Sequence, residues 1–140
     1  MTNQPLIFVR AATSADNDFL SDLLSHAREE SQTYRGKTLS HSAYSENNFC
    51  LIAGVGETSM GALEVEKISE QQWMIRFVYV QADCREIGIG DALMQHIVRH
   101  AQASGVSFIE SSAQPGDRAT KNLFERHGLV AQTIIVGKSL

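Results

Sequence analysis

Arg85, Gly88 and Gly90 fall within one short stretch, Val80-Gln81-Ala82-Asp83-Cys84-Arg85-Glu86-Ile87-Gly88-Ile89-Gly90-Asp91, and their types and spacing suit an anion. An arginine offers a forked, charge-assisted contact to a phosphate. Paired glycines can take positive φ and let a ligand approach the backbone closely. If this stretch opens a helix, the first free amides and the positive end of the helix dipole converge on one spot, which favours a pyrophosphate. A plain strand-to-helix turn would use glycines as well, so the pair decides nothing alone.

Two better-known phosphate motifs are excluded by spacing. A dinucleotide fingerprint needs a third glycine three residues after the second, and Leu93 stands there. Without that glycine, Glu110 loses its appeal as a ribose ligand. Gly36-Lys37-Thr38 and Gly137-Lys138-Ser139 end like a P-loop, but Ser31 and Gln132 occupy the positions of the required earlier glycine. Cys84 lies in the central loop with no base beside it in sequence, and reads as a spacer. His96 and His100 have the i, i+4 spacing of a metal pair, yet Ile97 takes the place a zincin helix gives to Glu. They read as a solvated helix edge beside Gln95 and Arg99, while His26, His41 and His127 do not cluster; no metal is expected.

These residues must be positioned by flanking elements. Residues 72–80 (QWMIRFVYV) are aromatic and β-branched without Gly or Pro, which predicts a strand entering the loop. Leu93, Met94, Ile97, Val98 and Ala101 recur at helical spacing, so a helix over 91–104 leaves it, ending at Gly105. Upstream, residues 6–10 form a short strand candidate, and Thr13 and Ser14 can cap a helix beginning near Asp16. Phe19, Leu20, Leu23, Leu24 and Ala27 share one face of that helix. Residues 28–48 are polar, with a turn signal at Arg35-Gly36-Lys37. Strands over 49–55 and 60–68, joined by Gly56-Glu57-Thr58-Ser59, complete an antiparallel meander with 72–80. A strand over 106–111 follows the helical crossover, which makes it parallel to 72–80. Asp117 caps a last helix that Gly128 stops, and residues 129–140 predict a terminal strand or bent hairpin.

The whole chain of 140 residues fits one domain, 1–140, with a core large enough to need no staples. With 43% hydrophobic and 20% charged residues the composition is that of a globular protein. A net charge of −4 argues against nucleic acid or an anionic membrane as main partner. Two cysteines without a Cys-x-x-Cys pair point to a reduced, cytoplasmic chain. No apolar run reaches the length of a membrane span.

The strand ending at Val80, then Arg85-x-x-Gly88-x-Gly90, then Leu123-Phe124-Glu125-Arg126-His127-Gly128-Leu129, resembles the GNAT superfamily of acyl-CoA-dependent N-acyltransferases. The resemblance runs from about residue 75 to 129, with a weaker echo over 9–24. It implies an α/β fold (an α+β mixed sheet) with antiparallel N-terminal strands, a parallel and splayed central pair, and helices on both faces. It implies acetyl-CoA as co-substrate, held by Val78, Tyr79 and Val80 along the pantetheine arm and by the amides of Glu86, Ile87, Gly88, Ile89, Gly90 and Asp91 with Arg85 at the pyrophosphate. The acceptor would be a small-molecule amine or a protein or peptide amino group, attacked directly, and the family leaves room for a homodimer. Residues 28–48 would fold over the acceptor pocket, where Glu29, Glu30 and Glu46 could attract a cation, though a solvated helix face explains them as well.

The sequence departs from the family at informative places. The usual general-acid Tyr is Phe124, which could line the thioester pocket but donates no proton unless Tyr79 or a water substitutes. The frequent carboxylate base before the loop is missing, since Arg76 and Phe77 stand there; Glu64, Glu66 or Glu110 could relay a proton through water. Freeing the lone pair of an amine of pKa about 10.4 at pH 7 costs about 4.6 kcal/mol, and expelling a thiol of pKa about 8.5 unprotonated costs only about 2 kcal/mol. The base therefore matters more than the acid. Glu86 and Ile87 replace the family's Gly and basic residue, and Asp91 competes with an anion for the helix dipole. These departures keep a second expectation open: a non-catalytic module of the same fold that binds acyl-CoA or a protein partner.

Overall fold

Alternating apolar residues put the chain's centre in a mixed five-stranded sheet, and the computed structural model describes residues 6–36 and 48–140 of it. The elements are β1 (Ile7–Ala11), α1 (Asn17–Ser31), β2 (Asn48–Val55), β3 (Thr58–Lys67), β4 (Gln72–Val80), α2 (Ile89–Ala103), β5 (Phe108–Glu110) and α3 (Arg118–Arg126), with single 3-10 turns at Ser14–Asp16 and Ala82–Cys84. The sheet order is β1-β2-β3-β4-β5; the first three pairings are antiparallel, and β4 with β5 is parallel. Among the described residues no helix is long and apolar enough to cross a membrane.

Each face of the sheet carries its own helix. On one face Leu93, Met94, Ile97 and Ala101 of α2, with Phe124 of α3, pack on Leu51, Leu63, Val65, Trp73 and Ile75. On the other, Leu23 and Ala27 of α1 cover Ile52, Ala62 and Phe77. The start of α1 is fixed by charge: Asp16, 7% exposed, accepts two hydrogen bonds from Arg10 at 2.8 Å each and one from the Thr13 amide. The Arg10 hydrogen bonds, aided by Thr13, lower the Asp16 carboxyl to about 2. Asp117 caps α3 as expected, accepting from the Thr120 amide at 3.1 Å.

The middle of β4 is irregular in a way that alternation alone does not reveal. Glu64 faces Phe77 while Val65 faces Ile75, so Arg76 is an extra residue on β4. This bulge reverses the pleat. Trp73 and Ile75 pack toward α2, whereas Phe77 packs toward α1 and Val78 and Val80 turn back toward α2.

Two expectations are corrected at the ends of the chain's elements. β5 is shorter than 106–111 because its pairing with β4 stops at Met74 opposite Glu110. Residues 129–140 form no strand or hairpin. The α3 helix ends in a Schellman motif, with Gly128 at φ +85° and the Leu129 amide donating to the Phe124 carbonyl at 3.0 Å. Everything after Leu129 then lies exposed.

Candidate active site

The sheet opens where β4 outruns β5. Pairing covers only Gln72 to Met74 of β4, which continues to Val80 with no β5 residue opposite. The Ser111 hydroxyl bonds the Ile75 carbonyl at 2.7 Å just past the parting. Beyond Ile75 the strands diverge, leaving one side of β4 from Arg76 to Val80 without a ladder partner in β5. Val78, Tyr79 and Val80 pair with Leu63, Ala62 and Gly61 of β3 on their other side.

At the far end of β4 the glycine-bearing loop leads into α2. Gly88 caps α2 in the left-handed conformation, φ +95°, and the first helical hydrogen bond runs from the Ala92 amide to the Gly88 carbonyl at 3.0 Å. The amides from Gly88 to Asp91 thus precede the helical ladder. Gly90 has a different role: a β-carbon there would sit 3.3 Å from a methyl of Leu123, so its lack of side chain lets α3 approach α2. Glu86, where the family tends to have glycine, adopts φ +72°.

Arg85 does not point freely at this spot. Its guanidinium forks onto Glu30 of α1 at 2.9 and 2.7 Å, its Nε donates to the Val80 carbonyl at 3.1 Å, and it stacks over the Tyr79 ring. Glu30 also accepts from the hydroxyls of Tyr79 at 2.7 Å and Tyr34 at 3.1 Å. The Arg85 hydrogen bonds hold the Glu30 carboxyl down at about 2. Burial first, then Glu30, pushes the Tyr79 phenol up to about 12. Of the acidic residues expected near the acceptor, Glu30 therefore belongs to this network; Glu46 and His41 lie outside the described residues.

Asp91 is compensated as well, by residues whose sequence positions gave no hint. Arg126 donates to it at 3.1 and 3.2 Å, and the His127 ring lies 2.8 Å away. Burial acts to raise the Asp91 carboxyl, but the hydrogen bonds of Arg126 and His127 outweigh it and leave it lowered. His96 and His100 are both exposed at the edge of α2, and the His100 ring also lies 5.4 Å from Trp73 and 5.8 Å from Phe49. Among the described residues no three His, Cys, Asp or Glu side chains gather as metal ligands.

The three candidate bases are spread along the sheet. Glu64, 8% exposed and opposite Phe77, lies next to the bulge, and the Cys50 thiol is 4.0 Å from its Oε2. Burial, then the Glu64 charge, raises the Cys50 thiol to about 11. Glu66 is engaged by the guanidinium of Arg76, whose Nε donates at 3.0 Å. Glu110 ends β5 at the point of parting. Phe124 is 7% exposed and belongs to the core beneath α2. The thiol of Cys84 contacts Gln81 and Asp83, and burial with the Asp83 contact raises it. Ser31 of α1 and Gln114 join through hydrogen bonds of 2.6 and 3.1 Å.

A five-stranded mixed sheet with helices on both faces, its pairing ending between the two parallel strands, is a fold shared with acetyltransferases of solved structure. The chain belongs to the acetyltransferase (GNAT) family, whose match spans residues 15–129. Solved structures of the same fold include the aminoglycoside N-acetyltransferase AAC(6')-Iy in complex with CoA, with a TM-score of 0.74 at 11% identity over 100% of this chain and 98% of that one. They also include a ribosomal-protein-alanine N-acetyltransferase from Brucella melitensis biovar Abortus 2308, with a TM-score of 0.73 at 15% identity over 96% and 100%. A transcriptional regulator from Bacillus halodurans matches with a TM-score of 0.70 at 17% identity over 96% and 100%. No curated protein matches by sequence.

Proposed function

We propose that this protein is a cytoplasmic N-acetyltransferase that moves an acetyl group from acetyl-CoA to a primary amine by direct attack. The observation that carries the reading is the opening of β4 directly onto the uncapped amides of α2. In this reading the amides from Glu86 to Asp91 hold the pyrophosphate, and the backbone of Val78 to Val80 orients the pantetheine arm. Backbone donors do this without help from side chains, which matters because Arg85 is committed to Glu30.

The amine nitrogen bonds to the thioester carbonyl carbon, the carbon–sulfur bond breaks, and CoA leaves as a thiolate that takes up a proton. The amine's surplus proton passes through water to a carboxylate. Glu110, where the strands part, and Glu64, beside the bulge, are the candidates this geometry favours; Glu66 already compensates Arg76. The acceptor is a small-molecule amine or a protein or peptide amino group, and the related structures carry names of both kinds.

A second reading, a non-catalytic acyl-CoA or partner-binding module, is favoured by Arg85's engagement and by Phe124 in the core. Free-thiol release from acetyl-CoA across a panel of amines tests the first reading. Turnover that falls at least tenfold in Glu110→Gln or Glu64→Gln identifies the base. No turnover with any amine, alongside clear binding of CoA, points to the second.

A further inference from the structure

The outer edge of β1 borders a groove that the proposed reaction does not use. Ile7 and Val9 of β1, both half-buried, make its apolar floor, and Gln95, His96, Arg99 and His100 of α2 make its polar wall. Its volume is about 570 Å³. The wall is basic although the chain carries a net charge of −4, and among the described residues no acidic side chain lines it. Arg10, Arg76, Arg85 and Arg126 are each bound to a carboxylate, whereas Arg99 has no carboxylate partner among the described residues. Lys67 extends the charge at the His100 end. Its ammonium lies 5.3 and 5.4 Å from the centres of the Phe49 and Trp73 rings, and the His100 ring packs beside both.

Backbone groups stay open along the same groove. β1 ends the sheet and pairs only with β2. The Ala12 amide donates to the Cys50 carbonyl at 2.9 Å, and the register sets Arg10 opposite Ile52 and Phe8 opposite Gly54. Antiparallel ladders alternate, so Phe8 and Arg10 bond inward to β2 while Ile7, Val9 and Ala11 turn their amides and carbonyls outward. The Ala11 carbonyl is met by the Arg10 guanidinium at 3.2 Å. Ile7 and Val9 keep outward backbone groups with no strand beside them among the described residues. Their side chains also floor the groove, so one partner can meet the edge and the basic wall together.

We propose that the β1 edge binds an extended, acidic segment of a partner protein, added to the sheet as a further strand beside Ile7 and Val9. Main-chain hydrogen bonds supply the pairing, and alternate side chains supply the selectivity. Every second side chain of the added strand falls on the α2 side, where a carboxylate meets His96, Arg99 or His100. Those between fall beside Phe8 and Arg10, and Asp16 already balances the Arg10 charge. The recognised segment therefore alternates acidic with uncharged residues. A small anion would use the wall alone and leave the edge open. A second copy, paired edge to edge about a twofold axis, would set two basic walls on the same side of the joined sheet, like against like.

The probe is a short fluorescein-labelled peptide alternating glutamate with valine, titrated with the full chain and followed by fluorescence anisotropy. CoA is absent throughout, so the outcome is independent of the acetyltransferase reading. Saturable binding that weakens with added salt is expected. Arg99→Glu should weaken it about tenfold or more while keeping a cooperative melt. The same peptide with lysine in place of glutamate should not bind. Backbone pairing is tested on the peptide itself: N-methylation of one alternate set of amides should abolish binding, and of the other set should spare it. No saturable binding by the wild type overturns the proposal. So do equal affinities for the two methylated peptides, and competition by inorganic phosphate as effective as that by unlabelled peptide. A two-chain mass by light scattering, with a disulfide joining two copies of Ile7→Cys on oxidation, assigns the edge to a second copy and overturns it as well.

Discussion

Glu30 and Arg85 are joined by two parallel hydrogen bonds of 2.9 and 2.7 Å, which tie the end of α1 to the loop preceding α2. Both side chains remain partly exposed, 27% and 37%, so screening limits the pair to about 1 kcal/mol or less. A double-mutant cycle of Glu30→Gln and Arg85→Ala, followed by urea denaturation, should return a coupling of that size. The sign of its pH dependence follows from a carboxyl held at about 2 against an ordinary 4.5. A depressed carboxyl stabilises the fold above its unfolded pKa, and that contribution fades as pH falls from 4.5 toward 2. Glu30→Gln should therefore flatten this part of the stability curve and leave its shape above pH 5 unchanged.

In the proposed reading, CoA binding should depend on the backbone at Gly88 more than on Arg85. CoA at 100 times its Kd should stabilise the protein by about 2.7 kcal/mol. In a chain of this size that is a melting shift of roughly 5–11 °C. A β-carbon on Gly88 meets only a methyl of Ile7, at an ordinary 3.5 Å, so the penalty of substitution lies in φ +95° and costs about 1–2 kcal/mol. Gly88→Val should abolish the CoA-dependent shift, whereas Arg85→Ala should only reduce it. Equal shifts in wild type and Gly88→Val, read by scanning fluorimetry, would place the anion elsewhere.

Glu86 carries a similar backbone cost without a glycine's freedom. At φ +72° a side chain is disfavoured by about 1–2 kcal/mol, while glycine loses about 0.5–1 kcal/mol of unfolded-chain entropy. Glu86→Gly should thus gain roughly 0.5–1 kcal/mol in urea denaturation. It also removes one negative charge from the loop, so CoA affinity should rise in the same variant. A stability loss would show that the Glu86 side chain makes a compensating contact.

What the sequence revealed follows from the range of the forces involved. The glycine spacing, the Asp117 cap and the helical stripe of α2 are local, and each was legible from neighbouring residues. The bulge at Arg76 was not, because it exists only relative to the register of β3. Glu30 could be suspected as an acidic group, but its partner lies far along the chain, and Tyr79 joins it only through that reversed pleat. Asp91 looked like a repulsive charge at the anion site until α3 brought Arg126 and His127 beside it. The tail was read as a strand from composition, and composition cannot supply the neighbour a strand requires.

Phe124 offers the sharpest separation between transferase and binding module. A missing general acid leaves at most about 2 kcal/mol unassisted, equivalent to about 30-fold in rate. A ring at the cleft would recover part of this in Phe124→Tyr. Phe124 instead sits 7% exposed in the core beneath α2, where an added hydroxyl without a partner costs about 1–3 kcal/mol. The Tyr79 phenol already donates its proton to Glu30, which leaves solvent as the proton source for the departing thiolate. Phe124→Tyr should accordingly lower the melting temperature and leave kcat for acetyl-CoA within about twofold of wild type. The measurement is thiol release over a pH series with several amines, beside a thermal melt of each protein. A rise in kcat approaching 30-fold would show that the ring does reach the thioester and that the acid is the missing component. No turnover by either protein, with a clear CoA-dependent melting shift in both, would assign the chain to binding alone.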